Sequence, residues 1–253
     1  MPTIQRLNAD SSWCIEYGGT SAIIDPWLIG EDIAGFKWFS HQKHIYPPIA
    51  IADLPKADGI LISQQYPDHC HLETIEAMDA KMPILASPHA YRKMKSYFRS
   101  GRRIESIKPN TWINWKQWRV MCFKRRGLLS PNFYAIIIAL PNNQAIFYAP
   151  HGYALSDDEF NIIKDLSFDL VMTTHTRFVL PALLGGEINL GKAAAEKLAV
   201  QLNPRYLVNT HDEMKEKAGL VAAIAKVEPF DPTQYVSDEI FMSVPFDGLS
   251  HKF

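Results

Sequence analysis

Asp68, His69 and His71 place one carboxylate and two imidazoles almost side by side. Those donor types suit zinc, iron or manganese. They follow Ile60-Leu61-Ile62 and the polar run Ser63-Gln64-Gln65-Tyr66-Pro67. They therefore stand beyond the C-terminal end of a short apolar strand, where α/β proteins place their sites. The same residues have a plainer use, capping the helix that follows and contacting solvent, and this segment alone leaves both readings open. Two more histidines occupy comparable places: His151 follows Phe147-Tyr148-Ala149-Pro150, and His211 follows the run Tyr206 to Asn209. His175, in Thr173-Thr174-His175-Thr176-Arg177, comes after another apolar run. It is expected either to line the same cleft or to be structural. Lys124-Arg125-Arg126 offers cationic groups to a carboxylate or phosphate, or forms a solvated loop. The Gly185-Gly186 pair ahead of Asn189 offers backbone N–H groups to an anion, or makes a tight turn. His89 reads as a helix start, and His41, His44 and His251 as surface residues.

The elements that must position these groups are short. Apolar runs at 13–17, 21–25 and 59–63 are separated by Gly and Pro and read as strands. From His71 to Met78 the spacing turns helical. A strand at 83–86, a helix at 88–98 and strands near 104–107 and 118–123 follow. Tyr134 to Leu140 and Gln144 to Tyr148 flank Pro141-Asn142-Asn143 and predict a hairpin. Ser156 to Lys164 reads as a helix with a serine N-cap and an acidic first turn. A buried strand at 170–174, a helix at 193–202, a strand at 206–209 and a helix at 218–227 complete the pattern. Residues 26–55 read as an irregular aromatic stretch containing Phe36, Trp38, Phe39 and Tyr46, a lid or pocket wall or a cover for the core.

Composition narrows the function classes. The chain has 253 residues, 47% hydrophobic and 21% charged, enough for a substantial core. No linker-like stretch divides it, so one domain over residues 1–253 is expected. A formal net charge of -1 gives no general attraction to nucleic acid. No signal peptide is legible at the start, which predicts a cytoplasmic protein. The run 134–140 is far short of the roughly 20 residues of a membrane helix, so no membrane role is expected. Cys14, Cys70 and Cys122 form no Cys-x-x-Cys pair, which argues against a disulfide framework and a cysteine-rich zinc site. A small-molecule substrate is the expected partner, and a homo-oligomer is compatible with all of this.

Taken in order, Asp25-Pro26-Trp27, Asp68-His69, Pro150-His151-Gly152 and Thr210-His211 resemble the metallo-β-lactamase superfamily, whose signature is His-x-His-x-Asp-His. The resemblance spans most of the chain. At the signature positions stand Gln64, Tyr66, Asp68 and His69, so the first two histidines are replaced. Where relatives carry a metal-bridging Asp, this chain has Pro150 or His151. Ser63-Gln64, Asp68-His69-Cys70-His71, Pro150-His151-Gly152 and 185–191 look like one little-characterised branch, which brings no known substrate.

The resemblance implies an α/β fold, the four-layer αβ/βα metallo-β-lactamase-like sandwich. In two-metal members, one ion uses the His-x-His pair and a histidine of a middle loop. Here those places are Gln64, Tyr66 and residues 123–130, without a histidine, so that ion is expected to be absent. The other ion uses Asp-His and the last histidine, which are Asp68, His69 and His211, with His151 or His71 completing the shell. One divalent ion is therefore implied, zinc first, with iron or manganese as alternatives. Asp68 and His69 would carry the catalysis, with Asp68 a ligand or a general base. Gln64, Tyr66, His175 and Arg177 are candidates for the substrate pocket. The implied function is a metal-dependent hydrolase of a small ester, lactone, amide or phosphoester. The alternative is a non-catalytic descendant that binds a small molecule in the same cleft. Nuclease and redox readings have less support.

Overall fold

In the computed structural model, residues 1–99, 101–127, 131–212, 214–235 and 240–253 are described, the last two of the fourth segment by backbone only. Contacts divide the chain into two compact units. The first comprises residues 1–108, 214–223 and 245–252, and the second 109–213, 224–244 and Phe253.

The first unit is built on a seven-stranded sheet. Strands β1 (Thr3–Arg6), β2 (Trp13–Tyr17) and β3 (Thr20–Ile24) are antiparallel neighbours. β6 (Ile60–Ile62), β7 (Ile84–Ala86) and β8 (Ile104–Ser106) extend the sheet from β3 in parallel. β20 (His251–Lys252) pairs with β1 at the other edge. β6 and β7 are short and continuously apolar because both their faces are covered, a pattern typical of parallel sheets. Helices α1 (Leu72–Ala77) and α2 (Pro88–Phe98) are the crossovers. Proline at the start of α2 costs no hydrogen bond there. Ile23, Ile60, Ile62, Ile75, Ile84 and Met94 form the centre of this unit's core.

Within 26–55 the structure departs from the irregular loop expected. β4 (Asp32–Ile33) and β5 (His41–His44) form an antiparallel pair, and β17 (Lys215–Ala218) adds to β5 with Lys215 opposite His44. The pairing partner of β5 lies far along the chain, so local periodicity could not reveal it. The helix expected over 218–227 is correspondingly short, α5 (Leu220–Ile224), because strands occupy both its flanks. His44 is not a surface residue: its ring stacks on the buried Trp27 with centroids 3.8 Å apart. His41 and His251 also have partners, Glu31 at 2.8 Å and Asp247 at 3.3 Å.

The second unit has a seven-stranded sheet of the same plan. β9 (Ile113–Trp115), β10 (Trp118–Lys124), β11 (Tyr134–Ala139) and β12 (Gln144–Ala149) run antiparallel, and β13 (Ser167–Thr173), β16 (Tyr206–Asn209) and β19 (Phe241–Met242) continue in parallel. The hairpin of β11 and β12 and the strand over 206–209 stand where the sequence places them. α3 (Asp157–Ile163) has the expected Ser156 N-cap, closed into a capping box by Glu159. α4 (Gly191–Leu202) ends at Asn203 in the left-handed region. β14 (Arg177–Val179), β15 (Glu187–Leu190) and β18 (Lys226–Glu228) make a separate antiparallel sheet. Phe123, Phe147, Val171, Leu198 and Leu207 are central to its core. Among the described residues no helix is long and apolar enough to cross a membrane.

Candidate metal centre

In the first unit, Asp25 ends β3 with a positive φ of 46° and is fully buried. Its carboxylate accepts from the Ser63 backbone N–H at 2.7 Å, from the Ser63 hydroxyl and from His69 Nδ1 at 2.9 Å. A carboxylate with those partners can only accept, so Nδ1 of His69 carries the proton and Nε2 keeps its lone pair. Nε2 faces Asp68 Oδ1 at 3.8 Å, beyond hydrogen-bond range. Burial opposes charge on His69, but Asp68, Asp25 and Asp10 outweigh it and hold its pKa above the usual value.

Asp68 has a second partner that its sequence neighbourhood does not reveal. Lys215 Nζ donates to Asp68 Oδ2 at 3.2 Å and to Asp10 Oδ2 at 2.9 Å. Asp10 and Asp68 offer carboxylate oxygens within 4.8 Å of one another. Asp10 is placed by an Asx-type turn: Asn8 Oδ1 accepts from the N–H groups of Asp10 and Ser12, both at 2.9 Å. Ser11 Oγ donates to the Asp68 carbonyl at 3.0 Å, tying that turn to the strand end. Asp32 completes the acidic interior. Its burial, reinforced by Asp68, pushes its carboxyl up to about 7.

His71 serves the helix that follows it. It is the N-cap of α1, its Nδ1 accepting from Thr74 N at 3.2 Å, and Thr74 Oγ1 lies 2.9 Å from the same nitrogen. Thr74 Oγ1 also accepts from Leu28 N at 3.0 Å, so the pair fastens the turn after Asp25 to the helix. Among the described residues His71 belongs to none of the groups of three or more close metal-ligand atoms. Gln64 is fully buried, whereas Tyr66 is half-buried and lines a cavity of about 750 Å³ with Phe36, Trp38, Phe39 and Lys93.

In the second unit, His151 follows β12. Its Nδ1 lies 2.7 Å from Asn189 Oδ1, which fixes the proton on Nδ1, and its ring stacks on Phe133 at 3.8 Å. Gly152 turns the chain there with φ of 78°; a Cβ on it would lie 2.8 Å from that of Leu190, so only glycine fits. His211 follows β16 with φ of 55°. Its ring meets that of His151 edge-on with centroids 4.7 Å apart, and the two offer ligand nitrogens within 4.8 Å. Two imidazoles brought so close, one already oriented by an amide, are the donor chemistry of a zinc, iron or manganese site.

Asp212 holds the His211 turn. Its Oδ1 accepts from the backbone N–H groups of His175 (2.8 Å) and Thr176 (3.1 Å) and from Thr174 Oγ1 (3.2 Å), and its Oδ2 from Asn209 Nδ2 (2.7 Å). Asp212→Ala is expected to cost about 2–3 kcal/mol in chemical denaturation, since buried donors lose a charged acceptor. Asp212→Asn, which keeps one oxygen acceptor, should lose less. Glu213, the next residue of that segment, lies outside the described residues, as do 128–130 of the middle loop.

His175 and Arg177 come together, but on a cavity of about 620 Å³ whose lining includes neither His151 nor His211. The Arg177 guanidinium donates to Glu187 at 2.7 Å and Glu228 at 2.8 Å. His175 packs against Phe230 and Phe241, with ring centroids 5.6 and 5.2 Å away. Burial, reinforced by Lys192, lowers its pKa from the ordinary 6.5 to about 3. The folded state therefore favours neutral His175. Its contribution is fully present above pH 6.5 and is lost as pH falls toward 3. Denaturation midpoints of the unmodified protein should fall more steeply over that window than those of His175→Gln; equal slopes would refute the assignment.

The basic cluster is not simply a solvated loop, and the glycine pair makes a tight turn. Arg125 donates to the carbonyls of Ile188 and Glu187, each at 2.8 Å. The N–H groups of Gly185 and Gly186 close a turn on Ala182 and Pro181. Sequence reasoning missed Asp10, Asp32, Asn189 and Lys215. Asn8-Ala9-Asp10-Ser11-Ser12 carries a turn signal that could have pointed to Asp10. Lys215 carries none, because its partners are remote in sequence.

Among solved structures, the chain is similar to an isothiocyanate hydrolase from Delia radicum gut bacteria, at 15% identity and a TM-score of 0.72, covering 99% of each chain. A possible metal-dependent hydrolase from Veillonella parvula aligns at 12% identity and 0.70, covering 100% of this chain and 98% of that one. CmlA, a diiron β-hydroxylase from Streptomyces venezuelae, aligns at 13% identity and 0.61 over 83% of this chain and 44% of its own. No curated protein matches in sequence. The family model for the β-lactamase superfamily domain matches residues 7–211. With the strand-end histidines and the fold in agreement with that match, the chain belongs to the β-lactamase superfamily domain family.

Proposed function

We propose that this protein is a cytoplasmic metal-dependent hydrolase acting on a small ester, lactone, amide or phosphoester. One divalent ion, zinc first and iron or manganese as alternatives, is the cofactor of this reading, with the ligands that the family resemblance implies: Asp68, His69 and His211, and His151 or His71. The observation that carries the reading is the orientation of the imidazoles. Asp25 behind His69 and Asn189 behind His151 each engage Nδ1, which leaves Nε2 of both rings as the donor nitrogen. The likeness to an isothiocyanate hydrolase and to a possible metal-dependent hydrolase supports the reaction class.

A bound ion supplies Lewis acidity and, if it is zinc, lowers the pKa of a coordinated water to about 7. The protein's own part is to direct protons and substrate. Asp68 has one oxygen on Lys215 and the other toward His69, which suits it to take the proton of the attacking water rather than to act as a full ligand. Tyr66, two residues before Asp68, lines an aromatic cavity that would take a substrate's apolar part. Turnover of a panel of small esters, lactones and phosphodiesters, abolished by a chelator and restored by one divalent ion, would support the proposal. Binding of such compounds without turnover, with or without metal, would reject it in favour of a non-catalytic binding protein.

A further inference from the structure

Lys215 reaches the acidic interior of the first unit from an edge strand. Burial alternates along β17, with Lys215 buried and Glu216 exposed, so pairing with β5 in this register turns the lysine inward. Its side chain is 1% exposed. The Trp27 ring, 5.9 Å from Nζ, walls it in. The ammonium spans two carboxylates from separate segments, at 2.9 Å from Asp10 and 3.2 Å from Asp68. Asp25 and Asp32 are buried in the same unit, and His44 stands opposite Lys215 across the β5–β17 pairing. Carboxylates withdrawn from water and set against one another need a cation between them. A divalent ion is one solution, and a lysine fixed to the chain is another.

We propose that Lys215 is a tethered ammonium that holds Asp10 and Asp68 together where a divalent ion would otherwise bind, and so keeps that place closed to metal. The proposal rests on the mononuclear reading above for its functional meaning, but not for its test. With Lys215 present, Nζ stands between oxygens that a metal would need. Without it, Asp10 and Asp68 remain as a pair of buried carboxylates with hard oxygen donors, which suit manganese or magnesium. Lys215 is thus a positioning residue, acting through Asp68.

The test compares the unmodified protein, Lys215→Met and Asp10→Asn/Lys215→Met by equilibrium dialysis against Mn²⁺ and by thermal unfolding. Lys215→Met should bind about one more ion per chain than the unmodified protein, because the cation's place is vacated. In chelator it should melt roughly 10 °C lower, with most of the loss recovered on adding Mn²⁺. The double variant, which also removes the Asp10 charge, should return to the unmodified ion count and regain stability without Mn²⁺. A Lys215→Met protein that folds only in the presence of the ion also supports the proposal. An unchanged ion count in Lys215→Met, or a double variant no more stable than the single one, would overturn it. If the unmodified protein binds no metal, the proposed hydrolase reading fails, while the difference between it and Lys215→Met still decides the role of Lys215.

Discussion

Asp25→Ala is expected to cost about 3–5 kcal/mol of folding stability, as expected when one partner of a buried charged network is removed, and to weaken metal binding roughly 10–100-fold. Both effects come from one carboxylate. It receives the Ser63 backbone N–H, the Ser63 hydroxyl and the His69 imidazole from the strand end that follows β6. Its loss leaves those buried donors without their acceptor and frees His69 to turn or to change tautomer. Asp25→Asn separates the two consequences. An asparagine can still accept from Ser63 or His69 through its oxygen, but its NH₂ must face a donor, so a smaller stability loss with most of the metal defect is expected. Chemical denaturation and metal titration of both variants check this. Wild-type metal affinity in Asp25→Ala would show that His69 needs no orienting partner.

Asp68→Asn is expected to lower turnover about 10²–10⁴-fold, the range for removal of a general acid or base. Asparagine preserves shape and can still accept from Lys215 through its oxygen, so folding should change less than activity. The KM for a small ester should hold while kcat falls, because the lost function is proton transfer rather than binding. A metal content equal to that of the unmodified protein is expected alongside, because the imidazole ligands remain. Loss of metal together with loss of turnover would instead make Asp68 an essential ligand.

The legible part of this protein is the part determined by neighbours in sequence. The β11 and β12 hairpin, the Ser156 cap of α3, helix α2 and the strand before His211 follow from local apolar runs and turn residues. Asp68, His69, His151 and His211 were visible because each follows such a strand. The dual use of His71 was visible too, and its capping contact depends on Thr74. What sequence could not show depends on remote pairing. β5 is recognisable only beside β17, and Lys215 becomes a partner of Asp10 and Asp68 only once that register exists. His175 has the same apparent setting as His211, a histidine after a buried strand, yet it packs between phenylalanine rings on a different cavity. Strand ends nominate positions for chemistry, and the second partner of each side chain decides which of them are used.

The central claim is that the protein holds one catalytic metal ion and that His69, oriented by Asp25, is among its ligands. Metal analysis of the protein produced with zinc, iron and manganese supplied, beside His69→Ala prepared in parallel, tests it most directly. About one divalent ion per chain is expected in the unmodified protein and close to none in His69→Ala. An unmodified protein that carries no metal, or a His69→Ala variant that retains the full amount, would contradict it.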